Sequence, residues 1–187
     1  PRAGGLRRFS LGYLDFDKVS RKISLNKEFI PVLVEEGGKF SQKGLIEILN
    51  SSLLPYHELL NSFKNGGGIN YDKIDKGFWN GIDQTGCTRY RHFLVTDWVD
   101  KMPELKSRLE TGSATFADFG CGSGRSTVEM AKKFPKSQFF GFDLFEPNIE
   151  RAKKIALDAG VKNNLKFMQW DVSNPCLLYT SDAADDC

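Results

Sequence analysis

One stretch limits what this chain can fold into more than any other: Ala114-Thr-Phe-Ala-Asp-Phe-Gly-Cys-Gly-Ser-Gly-Arg125. It reads as an apolar strand, an acid, three glycines at alternate positions and the start of a helix. A short apolar strand without a polar face belongs in a parallel sheet covered on both sides. Gly120, Gly122 and Gly124 carry no Cβ, so they permit a sharp turn and let a ligand lie against bare backbone. The helix predicted over residues 125–134 directs its free N–H groups back at that turn, a favourable place for anionic or polar ligand groups.

The acids around this turn sharpen the reading. Asp118 stands two residues before the first glycine. A second strand, predicted over 138–143, ends in Asp143. That acid lies nineteen residues after Gly124, close to the interval of about twenty at which a ribose-binding carboxylate is expected. A third strand, over 165–170, is followed by Asp171. Ligands of open α/β sheets bind at the carboxyl ends of the strands, where these three acids would sit. Between the strands, helices are predicted over 125–134 and 146–159. Pro135 ends the first and Pro147 opens the second. Ile149, Ala152, Ala156 and Ala159 form the inward side of the second, and Gly160 is its stop. Strand-helix-strand-helix-strand with right-handed crossovers is half of a doubly wound α/β sheet.

Asp118-x-Gly120-x-Gly122-x-Gly124, then Asp143, then Asp171, resembles the class I S-adenosylmethionine-dependent methyltransferases. The resemblance implies a Rossmann-like sheet and S-adenosylmethionine as cofactor. It implies that Gly120, Gly122 and Gly124 pass under the methionine part, that Asp143 takes the ribose hydroxyls and that Asp171 lies beside the adenine amino group. Asp118, Cys121, Leu144 and Val172 complete the implied cofactor-binding set. A nicotinamide-dependent oxidoreductase is the rival enzyme, but its pattern is G-x-G-x-x-G, not the G-x-G-x-G found here. No Gly-Lys-Ser/Thr follows the turn, so a phosphate-cradling P-loop is not supported.

Composition sets the broad class. The chain has 187 residues, 40% hydrophobic and 27% charged, with a formal charge of +2. Those values fit a globular protein of one to two domains. The small, scattered charge gives no argument for nucleic acid. No run of eighteen apolar residues is present, so no membrane span is expected. Residue 1 is Pro and no signal-peptide pattern opens the chain. The natural N-terminus is therefore expected to be missing, and a cytoplasmic location is the default. The cysteines are Cys87, Cys121, Cys176 and Cys187, without a C-x-x-C pair, and no metal site is expected. Cys121 reads as a small residue suited to a tight turn, not as a redox group.

The last twelve residues, from Cys176 to Cys187, contain three acids and no base. They resemble the in-frame translation of a sequencing adapter, so residues 176–187 are expected to be a non-native tail. The resemblance then implies a sheet that stops after its third strand, and a fragment without activity.

The front of the chain reads differently. Two apolar stretches, Leu11–Phe16 and Val19–Leu25, joined by Asp17-Lys18, suit a β-hairpin. Asn26 can cap a helix that Pro31 limits and Gly37 stops. A helix is predicted over 42–54, with Leu45, Ile46, Ile48 and Leu49 as its apolar face. Another follows Pro55, placed at the first helical position, and reaches Phe63. A hairpin with short helices resembles a winged-helix module, here partial. Some methyltransferases carry one for dimerisation or for covering the substrate. The DNA-binding alternative, a winged-helix regulator whose Rossmann half senses the cofactor, would use Arg7, Arg8, Lys18, Arg21 and Lys22 against phosphates.

The expected domains are 1–64, a partial winged-helix-like module; 65–112, a glycine-rich linker with connecting helices; 113–175, the S-adenosylmethionine-binding half-domain; and 176–187, the tail. In the linker, Tyr71, Phe78 and Trp79 are read either as a lid over the site or as packing between domains. A helix is predicted over 90–102 with a buried stripe of Val95, Trp98, Val99 and Met102. Pro103 opens another over 104–110, stopped near Gly112. Arg89, Arg91 and His92 are candidates to meet the cofactor carboxylate or to act as a base. No catalytic residue is assigned. The methyl acceptor is unidentified, with a small molecule favoured, nucleic acid disfavoured, and a homodimer through the N-terminal module open.

Overall fold

A computed structural model describes residues 11–53, 55–70 and 73–173. Arg7, Arg8, Leu54, Tyr71 and the tail 176–187 lie outside the described residues. The chain divides into two units, Pro1–Thr88 and Arg89–Cys187.

The first unit begins with the expected hairpin, β1 (Leu14–Phe16) paired antiparallel with β2 (Ile23–Leu25). Its connector is longer than Asp17-Lys18. It runs from Asp17 to Lys22, closed by Asp17 N–H donating to the Lys22 carbonyl at 2.9 Å. The Asp17 carboxylate accepts from the backbone of Val19 and Ser20 and from the Ser20 hydroxyl, which holds the loop open. The Ser20 hydroxyl first, then the backbone N–H groups, push the Asp17 carboxyl below its usual range. Arg21 at φ 55° cannot extend the ladder. Lys18, Arg21 and Lys22 are exposed on this loop.

Asn26 caps as expected, accepting the Glu28 N–H at 3.0 Å, but it starts a single 3-10 turn. Helix α1 (Ile30–Leu33) follows, with Pro31 in its first turn, and ends before Gly37 is reached. Helix α2 (Lys43–Ser52) and helix α3 (Tyr56–Asn65) then form. Pro55 stands at the cap of α3, one place earlier than expected, and Gly66 at φ 75° ends it.

The expected apolar face of α2 is largely exposed: Leu45, Ile46 and Leu49 stand outward. The buried side runs through Gly44 and Ser51 instead. It faces α4 (Lys76–Arg89), a helix the sequence does not announce. A Cβ on Gly44 would lie 2.6 Å from Thr85 Oγ1 and 2.7 Å from the Gly81 carbonyl oxygen. One on Gly81 would lie 2.6 Å from the Gly44 oxygen and 2.8 Å from Ile48. The two backbones meet where neither has a side chain, which is why small residues outrank the apolar stripe at this crossing. Phe78 and Trp79 lie on α4, edge to face at 5.3 Å.

In the second unit, the predicted helix over 90–102 is wound differently. Tyr90–Trp98 is a π-helix and Val99–Lys101 a 3-10 turn. The wider winding, with i→i+5 bonding, rotates later side chains off the α-helical stripe. Val99 is buried as expected, but Trp98 and Met102 are 42% and 44% exposed. Helix α5 (Pro103–Thr111) ends at Gly112, which sits at φ 81°.

The expected alternation of strands and helices follows: β3 (Thr115–Phe119), α6 (Arg125–Lys133), β4 (Gln138–Asp143), α7 (Glu146–Asp158) and β5 (Leu165–Gln169). The strands pair in parallel in the order β3-β4-β5. Phe116, Phe139 and Leu165 stand level in register on one face. They pack with Val99, Leu109, Met130 and Phe134, so α6 and the preceding helices cover that face. Ile149, Ala152 and Ala156 of α7 pack on Phe167 as predicted. Ala159 is exposed because it lies at the C-cap, beyond the last packed turn. Gly160, at φ 73°, supplies the expected stop.

The sheet is not covered on both faces among the described residues. On β3, Thr115, Ala117 and Phe119 are exposed and Phe116 and Asp118 half-buried. The open face carries an aromatic cluster, with Phe119, Phe142 and Trp170 centred 5.3–5.5 Å apart.

Two buried polar side chains lock the covered face. Asn164 Nδ2 donates to the carbonyls of Ala131, Phe134 and Ser137 at 3.0–3.3 Å. These include carbonyls that the end of α6 leaves without helical partners. The Ser137 hydroxyl, fully buried, donates to the Leu109 carbonyl at 2.8 Å.

Candidate active site

The three glycines all have positive φ: 74° at Gly120, 55° at Gly122 and 71° at Gly124. They are not equivalent. A Cβ on Gly120 or Gly122 would meet nothing within 4 Å, so open space stands over that backbone. A Cβ on Gly124 would collide with the Phe167 ring and lie 2.9 Å from Ala152 Cβ. Gly141, mid-strand in β4, is closed off by the same ring. Gly124, Gly141 and Ala152 therefore form the slot that receives Phe167, while Gly120 and Gly122 face free volume.

Asp143 holds the loop from the side. Its Oδ2 accepts the Gly122 N–H at 2.8 Å. Its Oδ1 accepts the Phe145 N–H at 2.9 Å and the Asn148 amide at 3.2 Å. Backbone bonds from Gly120 and Cys121 to the Phe142 carbonyl, 2.8 and 2.9 Å, seat the loop on β4. Asp118 faces the start of α6 and accepts the Ser126 and Thr127 hydroxyls at 2.9 and 2.6 Å.

Asp171 follows directly after the strands. Trp170 N–H donates to the Asp143 carbonyl at 3.0 Å, which brings the third acid to the same sheet edge. Asp171 is exposed. The Ser173 hydroxyl, then the Ser173 N–H, lower its carboxyl below the usual value. Leu144 and Val172, each one residue past an acid, are exposed at 65% and 60%.

Cys121 is buried inside the loop. Burial first, then the negative charges of Asp118 and Asp143, push its thiol up to about 12. It stays protonated at neutral pH and cannot act as a thiolate nucleophile, in keeping with a small packing residue.

Arg89 ends α4, whereas Arg91 and His92 lie on the π-helix. Among the described residues, no group of three or more His, Cys, Asp or Glu side chains could hold a metal ion. No helix among them is long and apolar enough to cross a membrane.

Sequence reasoning missed Ser126, Thr127 and Asn148, which tie the acids down. Hydroxyls right after a glycine turn are a usable signal for the first two. Asn148 is visible only once α7 turns it back on Asp143.

A three-strand parallel sheet with helices and an open glycine loop at its strand ends is like the Rossmann-like folds. Residues 110–186 match the family described as "Methyltransferase domain". The trans-aconitate 2-methyltransferase of Streptomyces coelicolor is 30% identical over 110 residues, 56% of this chain and 35% of that protein. PKMT2 from Rickettsia typhi, solved in complex with AdoHcy, is 35% identical over 34% of this chain and 12% of that one, with a TM-score of 0.32. An O-methyltransferase family protein from Burkholderia thailandensis shares the fold at a TM-score of 0.63, 12% identical over 94% of this chain and 51% of that one. The chain spans less than half the length of such curated relatives, for example 21% of one from Rickettsia prowazekii and 42% of one from Burkholderia cenocepacia.

Proposed function

We propose that this protein is an S-adenosylmethionine-dependent methyltransferase acting on a small-molecule acceptor. The observation that carries the reading is the bond from Gly122 N–H to Asp143 Oδ2. It sets a carboxylate beside a glycine loop whose outer side is open. The residues fit the cofactor: Gly120 and Gly122 leave backbone bare, Asp143 offers a carboxylate to a ribose diol, and Asp171 and Val172 offer an acid and an apolar side chain to a base. Asp118, Cys121 and Leu144 complete the proposed set beside that loop, and Gly124 contributes by seating it. When bound, S-adenosylmethionine supplies a methyl group on a sulfonium, already a strong electrophile. The chain's own task is then geometric: to bind, to orient and to exclude water, so that an acceptor can approach in line.

In this reading the N-terminal hairpin and helices serve as a winged-helix-like module for dimerisation or substrate cover. The cytoplasm is the proposed compartment. Calorimetry with S-adenosylhomocysteine tests the cofactor reading, with NADH as the control. Saturable binding of the first and none of the second is expected. The reverse pattern would make the protein an oxidoreductase. Retention on DNA without methyl transfer from labelled cofactor would favour a regulator.

A further inference from the structure

Thr127 buries a hydroxyl with no exposed surface in the first turn of α6. A buried hydroxyl is costly unless it is bonded, and a valine would fill the same volume without that need. The hydroxyl is bonded, to Asp118 Oδ2 at 2.6 Å, and the half-buried Ser126 donates to the same oxygen at 2.9 Å. These bonds span eight and nine residues and so close the glycine loop at its base. Asp143 and the Phe142 carbonyl hold the loop on its β4 side, and these two bonds hold its base. Gly120 and Gly122 carry no side chain and touch nothing on their outer side.

We propose that Ser126 and Thr127 are positioning residues for ligand binding. They act through Asp118 by holding the two ends of the glycine loop at a fixed span. Hydrogen bonds to a charged acceptor are the stronger kind, and two on one oxygen fix its orientation. A loop held in its binding geometry beforehand spares the ligand the cost of ordering it. The proposal rests on the reading of the loop as a cofactor site.

The test compares Ser126→Ala, Thr127→Val and the double variant with Thr127→Ser, using S-adenosylhomocysteine as the probe. The double variant should lose at least about tenfold in Kd, the scale of a lost charged hydrogen bond. Amide hydrogens of residues 120–124 should exchange about tenfold faster, while those of α7 keep the wild-type rate. Thr127→Ser should restore both. Unchanged Kd and exchange in the double variant overturn the proposal. So does a Thr127→Ser variant that falls as far as Thr127→Val, since only packing would then matter. If Thr127→Val fails to fold, Ser126→Ala carries the comparison on one bond. If the wild-type chain does not bind the probe, the cofactor reading fails, and the exchange rates alone decide whether the two hydroxyls hold the loop.

Discussion

Replacing Gly124 with alanine separates two roles that one glycine motif combines. Two costs apply. At φ 71°, an L-residue pays roughly 1–2 kcal/mol for the left-handed conformation. The added Cβ also lies 2.7 Å from Phe167 Cε1 and 2.9 Å from Ala152 Cβ. Overpacking of that kind costs about 1–3 kcal/mol. The total is roughly 2–5 kcal/mol. Gly120→Ala has a similar φ of 74° but open space, so it should cost only the first amount, about 1–2 kcal/mol. Urea denaturation of the two variants measures the difference. Gly124→Ala should be the less stable by roughly 1–3 kcal/mol, and Phe167→Leu in that background should recover part of the loss. Equal destabilisation of the two variants, or no recovery, would refute the assignment of Gly124 to packing.

Other predictions follow from the same geometry. Asp143→Ala should weaken S-adenosylhomocysteine binding by about tenfold or more; it should also lower the melting temperature, because three donors lose their acceptor, and calorimetry with thermal melting checks both. Asn164→Ala should cost about 1–3 kcal/mol in denaturant titrations, since it strands buried carbonyls. Cys121 has a folded value of about 12 against an ordinary 9.0. The unfolded thiol therefore ionises first, so its contribution is whole below pH 9.0 and lost as pH rises towards about 12. Wild type should lose more stability over that interval than Cys121→Ala. At pH 8 the native Cys121 thiol should react with a disulfide reagent far more slowly than after unfolding.

The second unit was legible because its signals are local. Short apolar strands, alternate glycines and prolines at helix ends each announce themselves within a few residues. The acids at the strand ends were legible for the same reason. Helix α4 was not, because Gly77 and Gly81 read as helix breakers. Their purpose lies in Gly44 and Ser51 of another helix, which no window around residue 81 contains. The winding of Tyr90–Trp98 was also hidden, since a π-helix has the composition of an α-helix and differs in register. The sequence placed Asp118 and Asp143 beside a ligand. It could not show that Ser126, Thr127 and Asn148 bond to them. The open face of β3 was misjudged because apolar residues record what a strand prefers to touch, not whether a neighbour is there.

The slot around Phe167 has a consequence for how such sequences can drift. Positions 124, 141, 152 and 167 share one fixed volume, three donating space and one filling it. A gain at any of the first three must be met by a loss at the fourth. Relatives with a smaller residue at 167 should tolerate alanine at 141, where φ is unstrained, but not at 124, where the backbone independently demands glycine. Positions 141 and 152 should therefore vary together with the phenylalanine that stands forty-three positions downstream of the loop's last glycine.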